Sequence, residues 1–261
     1  MGLSFNGQGY QGWQSQSSGN TLQDRLESAL ARFTNQKTSV LCAGRTDAGV
    51  HALMQVVHFD TALDRTASSW VRGTNAFLPA DMAVQWACLV PDAFHCRASA
   101  LSRRYVYVLL ESPVRPSVEA GRVGWIYHPL DGVAMQQAAQ LLLGEHNFSS
   151  FRASSCQALS PVKTMLGIAI SQRGAGPGSR YWRFEFEASA FLHHMIRNIM
   201  GCLVTIGLGN QPAAWMGEVL AARSRLVAAP TFSPDGLYFL GPRYESHWGL
   251  PTQTPAYDWL P

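Results

Sequence analysis

The chain has 261 residues, of which 47% are hydrophobic and 14% are charged, and its formal net charge is +3. This length and apolar content suffice for one large globular domain or for two halves that share a sheet, and they exclude a disordered protein. Five scattered cysteines without a CxxC pair argue against zinc and disulfides, and no segment resembles a secretory signal or is long enough to span a membrane, so we expect a soluble cytoplasmic protein.

The first half predicts one helix followed by short strands. Thr21 is the expected N-cap of a helix of about three turns, whose apolar side is formed by Leu22, Leu26, Leu30 and Phe33. Apolar segments typical of strands follow at residues 39–43, 55–59, 83–89 and 103–110. In the last of these, Arg103, Tyr105 and Tyr107 share one face.

A glycine-flanked turn, CAGRTDAGVHA at residues 42–52, lies between two of these strands. Gly44 and Gly49 can adopt backbone angles closed to other residues, so the turn can be sharp and can place Asp47 at its tip. A nearby Arg45 favours an ionised aspartate, which nucleophilic or general-base chemistry requires. The structural alternative is that Asp47 caps the turn through backbone amides and that Arg45 pairs with a surface carboxylate.

The second half predicts three helices and a clear strand. Asp131 is the expected N-cap of a helix that runs to Leu143, a second helix covers residues 192–206, and Pro212 begins a third that ends near residue 222. Residues 181–188 alternate as in an antiparallel strand with one wetted face, and the other face carries Trp182, Phe184 and Phe186. Residues 15–20, 172–179 and the chain after Tyr244 are predicted to be surface loops.

These elements predict an α+β fold with a mixed, mainly antiparallel sheet and helices packed on one face. We expect an N-terminal half at residues 1–114 that carries the Asp47 loop. A C-terminal half at residues 115–244 carries the helix with Arg197, and a tail follows at residues 245–261, where Trp248 and Trp259 are candidates for docking.

Motifs of other chemistries are missing from the sequence. There is no GxxxxGK[ST] phosphate loop, HExxH motif or GxSxG nucleophile elbow. His193 and His194 are adjacent, so on a helix they point about 100° apart and form a poor metal-binding pair. These other chemistries therefore fit the sequence poorly.

The loop itself resembles a family signature. GRTDAGVHA at residues 44–52 and QVVHF at residues 55–59 are similar to the signature of the TruA family of tRNA pseudouridine synthases. Further segments resemble the same family in the same order up to about Tyr238: FNGQGYQGWQ at 5–14, TNAFLPADMAV at 74–84, FHCRASALSRRYVYVL at 94–109, LLGEHNFSSFRA at 142–153 and FLHHMIRNIMG at 191–201. The resemblance implies an isomerase without metal or cofactor, built as two related halves that flank a central basic cleft.

The resemblance assigns catalysis to Asp47, Tyr105 and Arg197. Arg197 is the expected charge partner of Asp47, because a desolvated carboxylate without one is costly. The ring of Tyr105 is expected to stack on the target uracil and its hydroxyl to serve in proton transfer, with Tyr107 as a rival in the same register. Three routes stay open for the aspartate: attack at C1′, attack at C6, or abstraction of a ribose proton to give a glycal.

Contacts to RNA are predicted at two further segments and at Arg45, which by resemblance helps to hold the everted base. The candidates are Arg45, Phe94, His95, Cys96, Arg97, Ala98, Arg103, Arg104, Arg152, Ser155, Cys156 and Gln157. Only two of the 20 basic residues are lysines, which favours phosphate and base recognition, although genomic base composition explains the bias equally well. By the same resemblance, a basic residue is expected at the position of Leu159. The first strand, at residues 1–5, is expected to be several residues shorter than is usual in the family.

The implied substrate is tRNA, modified at uridines 38–40 of the anticodon arm by a homodimer. Two other functions fit parts of the sequence. One is an inactive RNA-binding relative, and the other is an enzyme of nucleotide metabolism that acts on a small phosphorylated substrate.

Overall fold

The structure, a computed structural model, describes residues 1–251. In this part of the chain it contains ten strands, five α-helices and three short 3-10 helices. The strands are β1 (Gly2–Phe5), β2 (Leu41–Cys42), β3 (His51–His58), β4 (Met82–Trp86), β5 (Ser102–Glu111), β6 (Gly124–Ile126), β7 (Gly144–Asn147), β8 (Val162–Gly176), β9 (Ser179–Ala188) and β10 (Leu237–Arg243). The α-helices are α1 (Leu22–Thr34), α2 (Ala67–Asn75), α3 (Gly132–Gln140), α4 (Met195–Gly207) and α5 (Trp215–Ala222).

The described residues form two compact units, one made of residues 1–103 with the described chain from residue 238 onward, the other of residues 104–237. In the first unit β1 lies between β3 and β4 and is antiparallel to both. On its other edge β3 pairs with β10 in parallel and with the short β2 in antiparallel orientation. The predicted division at residues 114 and 244 stays a prediction.

Helix α1 forms where the sequence places it. The Thr21 hydroxyl accepts the N–H of Asp24, so a hydroxyl satisfies one of the amides that a helix start leaves unpaired. Leu22, Leu26 and Leu30 are fully buried, as their spacing predicts. The helix packs on α2, where Gly73 allows the ring of Phe33 to approach the backbone closely.

The second unit is organised around a long hairpin. Strands β8 and β9 are antiparallel, and β8 also pairs with β7 in antiparallel orientation. Trp182, Phe184 and Phe186 of β9 are buried, which confirms the alternation predicted for this strand. At the other edge β5 pairs with β6 in parallel. The α+β class with a mainly antiparallel sheet is therefore confirmed.

Several predicted boundaries are wrong, and the structure shows a local cause for one of them. The helix capped by Asp131 ends at Gln140 rather than Leu143, and its buried side chains are Met135, Ala138 and Ala139. Helix α4 begins at Met195 rather than at residue 192, because His194 adopts the left-handed conformation with φ 62°. Helix α5 begins at Trp215, after Pro212, and ends at Ala222 as predicted.

The sequence also missed whole strands. Strand β8 includes residues 172–176, which were predicted to be a loop because their side chains are exposed and polar. Strand β10, with Gly241 and Pro242, was not predicted. After β10, the Tyr244 hydroxyl donates to the carbonyl of Cys96, and the Trp248 ring lies 5.3 Å from the Phe94 ring. Trp248 therefore docks on the first unit, as proposed from the sequence, whereas Trp259 lies outside the described residues. Within residues 1–251, no helix combines the length and apolar character that a membrane span needs.

Candidate active site

The loop that carries Asp47 joins β2 to β3 and is closed by main-chain bonds. The Val50 amide donates to the Asp47 carbonyl (3.1 Å), and Gly49 has φ 80°, a conformation that favours glycine. At the base of the loop, the side-chain amide of the buried Gln55 donates to the Gly44 carbonyl (2.5 Å). These main-chain and Gln55 contacts fix the backbone of the turn, and the Asp47 side chain is half-buried.

The N-terminal tract, residues 5–14, packs directly against this loop. The Trp13 amide donates to the Thr46 carbonyl (3.0 Å). Gly12 has φ 87°, and a Cβ there would lie 2.7 Å from the carbonyl oxygen of Thr46. At Gly7 a Cβ would lie 1.9 Å from the carbonyl oxygen of Val50. These glycines are needed because the backbone of the tract passes directly against the loop, so the tract fixes the position of Asp47.

The histidine four residues after Asp47 is structural. His51 is almost fully buried, its Nδ1 accepts the Gly7 amide (3.2 Å), and its ring stacks on Tyr238 at 4.5 Å. A neutral imidazole that accepts at Nδ1 carries its proton on Nε2. This ring links the N-terminal tract to β10 and supports the loop.

The two tyrosines of β5 have different surroundings. Tyr107 has no exposed surface, and its hydroxyl donates to the Ser233 carbonyl (2.9 Å) while its ring meets Phe232 edge-on. Tyr105 is 8% exposed and packs edge-to-face on Phe191 with ring centroids 5.1 Å apart. Tyr107 is thus a core tyrosine, and Tyr105 is the better candidate for contact with a base.

Arg197 lies in the first turn of α4. Its Nε donates to the Phe232 carbonyl (2.9 Å), and the Phe232 amide donates back to the Arg197 carbonyl (3.1 Å). The side chain is half-buried. The start of a helix is electropositive, so a cation is unfavourable there unless an anion lies nearby. The next residue, Asn198, is fully buried and donates to the Phe151 carbonyl (2.8 Å).

Comparisons with known proteins agree with these features. The family model described as tRNA pseudouridine synthase matches residues 3–97 and 138–245. The chain belongs to the tRNA pseudouridine synthase family. This confirms the resemblance noted from its motifs.

Individual relatives are similar over their full length. A protein of Polaromonas naphthalenivorans (strain CJ2) named tRNA pseudouridine synthase A is 74% identical over 100% of this chain and 98% of its own. A protein of the same name from Paracidovorax citrulli (strain AAC00-1) is 68% identical over 100% of this chain and 99% of its own. A chain of a solved Cbf5-Nop10-Gar1 complex aligns with 92% of this chain and 48% of its own at 11% identity and a TM-score of 0.38, which is too weak to argue from.

The family segment at residues 94–98 alternates between buried and exposed side chains. Phe94 and Cys96 lie in the core of the first unit, whereas Arg97 and Ala98 are exposed and His95 is half-buried. Because only exposed atoms reach a ligand without rearrangement, Arg97 is the best placed of the five for RNA. Contact by any of them stays a prediction.

The other arginines predicted to contact RNA have different roles in their own units. Arg103 donates to the carbonyls of Arg97 and Ala100 and so ties this segment to the start of β5. Arg104 is half-buried, and its Nε has no hydrogen-bond partner among the described residues. Arg45 is exposed on the loop that carries Asp47.

The segment at residues 152–158 is folded against the chain that leads into α4. Arg152 donates to the carbonyls of Cys156 (2.6 Å) and Ala158 (2.8 Å). Ser155 Oγ lies 3.1 Å from Nδ1 of His193, whose amide points at the Cys156 sulfur (3.4 Å). Gln157 and Leu159 are exposed. The structure thus brings three predicted contacts, Arg152, Ser155 and Cys156, together beside the start of the helix that carries Arg197.

The five cysteines, all within the described residues, are free thiols with unequal acidity. Burial alone would raise the pKa of Cys156, but the amides of Ala158 and His193 and the Arg152 guanidinium together lower it below its ordinary value. Burial raises the pKa of the other four, that of Cys96 to about 12. Cys156 is therefore the most readily ionised thiol.

A cluster of two histidines and one cysteine has the residue types of a metal site, but the protonation of its imidazole rings does not suit a metal. His58, His95 and Cys96 each place a potential ligand atom within 4.8 Å of the others. Nδ1 of His58 accepts the Cys96 amide, and Nδ1 of His95 accepts the amides of Arg97 and Ala98. Because each ring then carries its proton on Nε2, neither offers a second lone pair, and the cluster does not fit a metal.

Proposed function

We propose that this chain converts uridine to pseudouridine at positions 38–40 of the anticodon arm of tRNA, with Asp47 as the essential catalytic group. The observation that carries the proposal is the GRTDAG loop itself, whose main chain is fixed from both sides. A loop held in this way fixes the point from which the carboxylate projects, and such positioning is what a catalytic side chain requires.

The roles of the other groups follow from their chemistry. Arg197, at an electropositive helix start, is the proposed charge partner of an aspartate that stays ionised when the base shields it from water. Tyr105 is proposed to stack on the everted uracil, with the hydroxyl available for proton transfer. Tyr107 is unsuited to this role because its hydroxyl is committed to Ser233. Arg45, exposed on the same loop, is proposed to occupy the gap left by the base.

The reaction is an isomerisation and needs no external reactant. The bond between N1 and C1′ breaks, the uracil turns, and a bond forms between C5 and C1′. The proton on C5 leaves to solvent, and N1 takes up a proton, so that the composition of the nucleoside is unchanged. Asp47 acts by attack at C1′, by attack at C6, or by removal of a ribose proton, and the proposal does not depend on which. The segments at 94–98 and 152–158 are proposed to contact the anticodon arm around the target.

Tritium release tests the reaction. With tRNA transcripts labelled at C5 of uridine, we expect the wild type to release tritium, and Asp47→Asn to release none while it still binds tRNA. The matched control is Asp64→Asn, which changes an exposed aspartate outside the site and should retain full activity. A wild type that binds tRNA without release would identify an inactive relative. Release only from a free nucleotide would identify an enzyme of nucleotide metabolism.

The positions within tRNA are tested with altered substrates. Replacing uridines 38, 39 and 40 by cytidine should abolish release, whereas a transcript with a single uridine among these positions should retain it. Release that survives the triple replacement would contradict the assignment to the anticodon arm.

The assembly is proposed to be a cytoplasmic homodimer that binds tRNA across both subunits. Support comes from the family resemblance and from exposed apolar side chains of the second unit, among them Val133, Leu141 and Leu166. Sedimentation should give twice the mass of a single chain. A monomer at concentrations where the enzyme is active would contradict the dimer but not the reaction.

A further inference from the structure

A polar groove of about 460 Å³ lies in the first unit between α1 and the segment that follows α2. One wall is the exposed side of α1, with Arg25, Ser28 and Arg32. These residues are three and four positions apart, so they share one helix face, opposite the buried leucines. The other wall includes Phe77. Nothing in the site described above uses this groove.

Both arginines of the groove are oriented by neutral groups. The Arg32 guanidinium stacks over the Phe77 ring at 4.5 Å from its centroid. The Arg25 guanidinium donates to Oδ1 of Asn20 (3.2 Å). Within residues 1–251 neither arginine forms an ion pair, so their charge is not neutralised by the protein. A stacked guanidinium keeps its N–H edge available and loses little side-chain entropy when it binds an anion.

The groove contains one carboxylate, that of Asp81, which already accepts a hydrogen bond. Its Oδ1 accepts the hydroxyl of Tyr10 (2.7 Å). Burial and this bond raise the pKa of Tyr10 to about 12, so the phenol remains a donor to Asp81. With two arginines and one aspartate among its lining residues, the groove is net positive.

We propose that this groove binds the sugar–phosphate backbone of the tRNA substrate. The inference rests on the proposed function only for the identity of the polyanion. Guanidinium groups match phosphate oxygens in geometry, and Ser28 offers a hydroxyl to a phosphate or to a ribose 2′-hydroxyl. The contact reads no bases, so it contributes affinity that is independent of sequence.

The test is the salt dependence of tRNA binding. For the double variant Arg25→Gln/Arg32→Gln we expect a Kd about tenfold higher at moderate salt. The slope of log Kd against log salt should fall by about 2, because each guanidinium that is removed leaves one phosphate unneutralised. The KM for tRNA should rise while kcat at saturating tRNA stays constant. The matched control is Arg65→Gln/Arg72→Gln, since Arg65 also stacks on a phenylalanine, Phe33, at 4.5 Å but lies outside the groove.

A second variant adds negative charge and keeps both guanidinium groups. Ser28→Glu places a carboxylate between the two arginines on an exposed helical position where glutamate is well tolerated. We expect it to weaken tRNA binding at low salt and to approach wild-type binding at high salt. Unchanged affinity and slope in both variants would overturn the proposal and point to another anionic partner, such as an acidic protein.

This outcome is distinguishable from failure of the proposed function. A wild type that releases no tritium but whose tRNA binding depends on Arg25 and Arg32 would support the groove and contradict the reaction. A wild type that releases tritium, with groove variants that bind tRNA normally, would support the reaction and contradict the groove.

Discussion

The backbone of Gly12 lies directly against the carbonyl oxygen of Thr46, at a distance that leaves no room for a side chain at position 12. This contact couples the N-terminal tract to the loop that presents Asp47, one residue further on. A movement of the tract at Gly12 would therefore displace the loop that carries Asp47.

Gly12→Ala tests this coupling. An alanine at φ 87° with its Cβ 2.7 Å from Thr46 O forces the loop or the tract to move, at a cost of about 1–3 kcal/mol in unfolding free energy. A displacement of about 1 Å at Asp47 is enough to lower kcat by about 100-fold. Tritium release and urea unfolding measure the two effects.

The matched control is Gly9→Ala in the same tract. A Cβ at Gly9 meets nothing within 4 Å, so this variant should keep both stability and kcat. If Gly12→Ala lost stability but kept kcat, the contact would stabilise the fold without positioning Asp47.

The sequence proposes members for this candidate site, but it does not reveal the contacts that support the Asp47 loop. Asp47, Tyr105 and Arg197 follow from motifs with a family signature, and α1 and β9 follow from strong periodicity. The clamp by Gly7 and Gly12 is not readable from the sequence because its contacts join segments some 40 residues apart. His51 shows the same limit, since only the structure reveals that its ring is held by Gly7 and Tyr238.

Two errors of the sequence-based prediction, the start of α4 and the missing strand β8, have a structural explanation. Nothing in the sequence FLHHMIRN marks the left-handed residue at His194, which delays the start of α4 by three residues. Strand β8 was missed because a two-stranded ribbon with exposed side chains lacks the apolar alternation that identifies a strand. Its main-chain pairing with β9 is what defines it.

A matched pair of substitutions distinguishes the role of Tyr105 from that of Tyr107. Tyr105→Phe keeps the ring and removes the hydroxyl proposed for proton transfer, so kcat for tritium release should fall by about 100-fold. Tyr107→Phe leaves the Ser233 carbonyl without its donor, so unfolding free energy should fall by about 1 kcal/mol with kcat unchanged. Equal kcat values for the two variants would contradict the assignment of proton transfer to Tyr105.

Glu111 is a buried carboxylate that supports the fold of the second unit. Its Oε2 accepts the Trp182 indole N–H (2.7 Å) and the Leu130 amide (3.1 Å), and its Oε1 lies 3.1 Å from Arg180 Nε. Glu111→Ala leaves two buried donors unsatisfied, so unfolding free energy should fall by about 3 kcal/mol. Glu111→Gln keeps an acceptor oxygen and should cost about 1 kcal/mol.

The exposed Glu185, which pairs with the half-buried Arg183, supplies the control, since Glu185→Ala should change unfolding free energy by less than about 1 kcal/mol. Urea unfolding of the three variants measures the difference. A cost for Glu111→Ala as small as that for Glu185→Ala would mean that the donors find other partners.

Cys156 should be the first thiol to react with iodoacetamide. The thiolate is the nucleophile, and the pKa of Cys156 lies below its ordinary value while the pKa values of Cys42, Cys88, Cys96 and Cys202 lie above theirs. As pH rises, labelling of Cys156 should therefore reach half of its maximum rate at a lower pH than labelling of Cys88, the other half-buried cysteine. Peptide mapping by mass spectrometry gives both rates.

The same measurement tests whether this segment contacts RNA. If Ser155, Cys156 and Gln157 lie against the anticodon arm, saturating tRNA should slow the labelling of Cys156 several-fold, since the bound backbone covers the sulfur and its negative potential disfavours the thiolate. Cys88, in the other unit and outside the predicted contacts, should label at the same rate with and without tRNA. Undiminished labelling of Cys156 in a complex that still releases tritium would remove residues 155–157 from the RNA interface and leave Arg152 and Cys156 as elements that only shape the loop before α4.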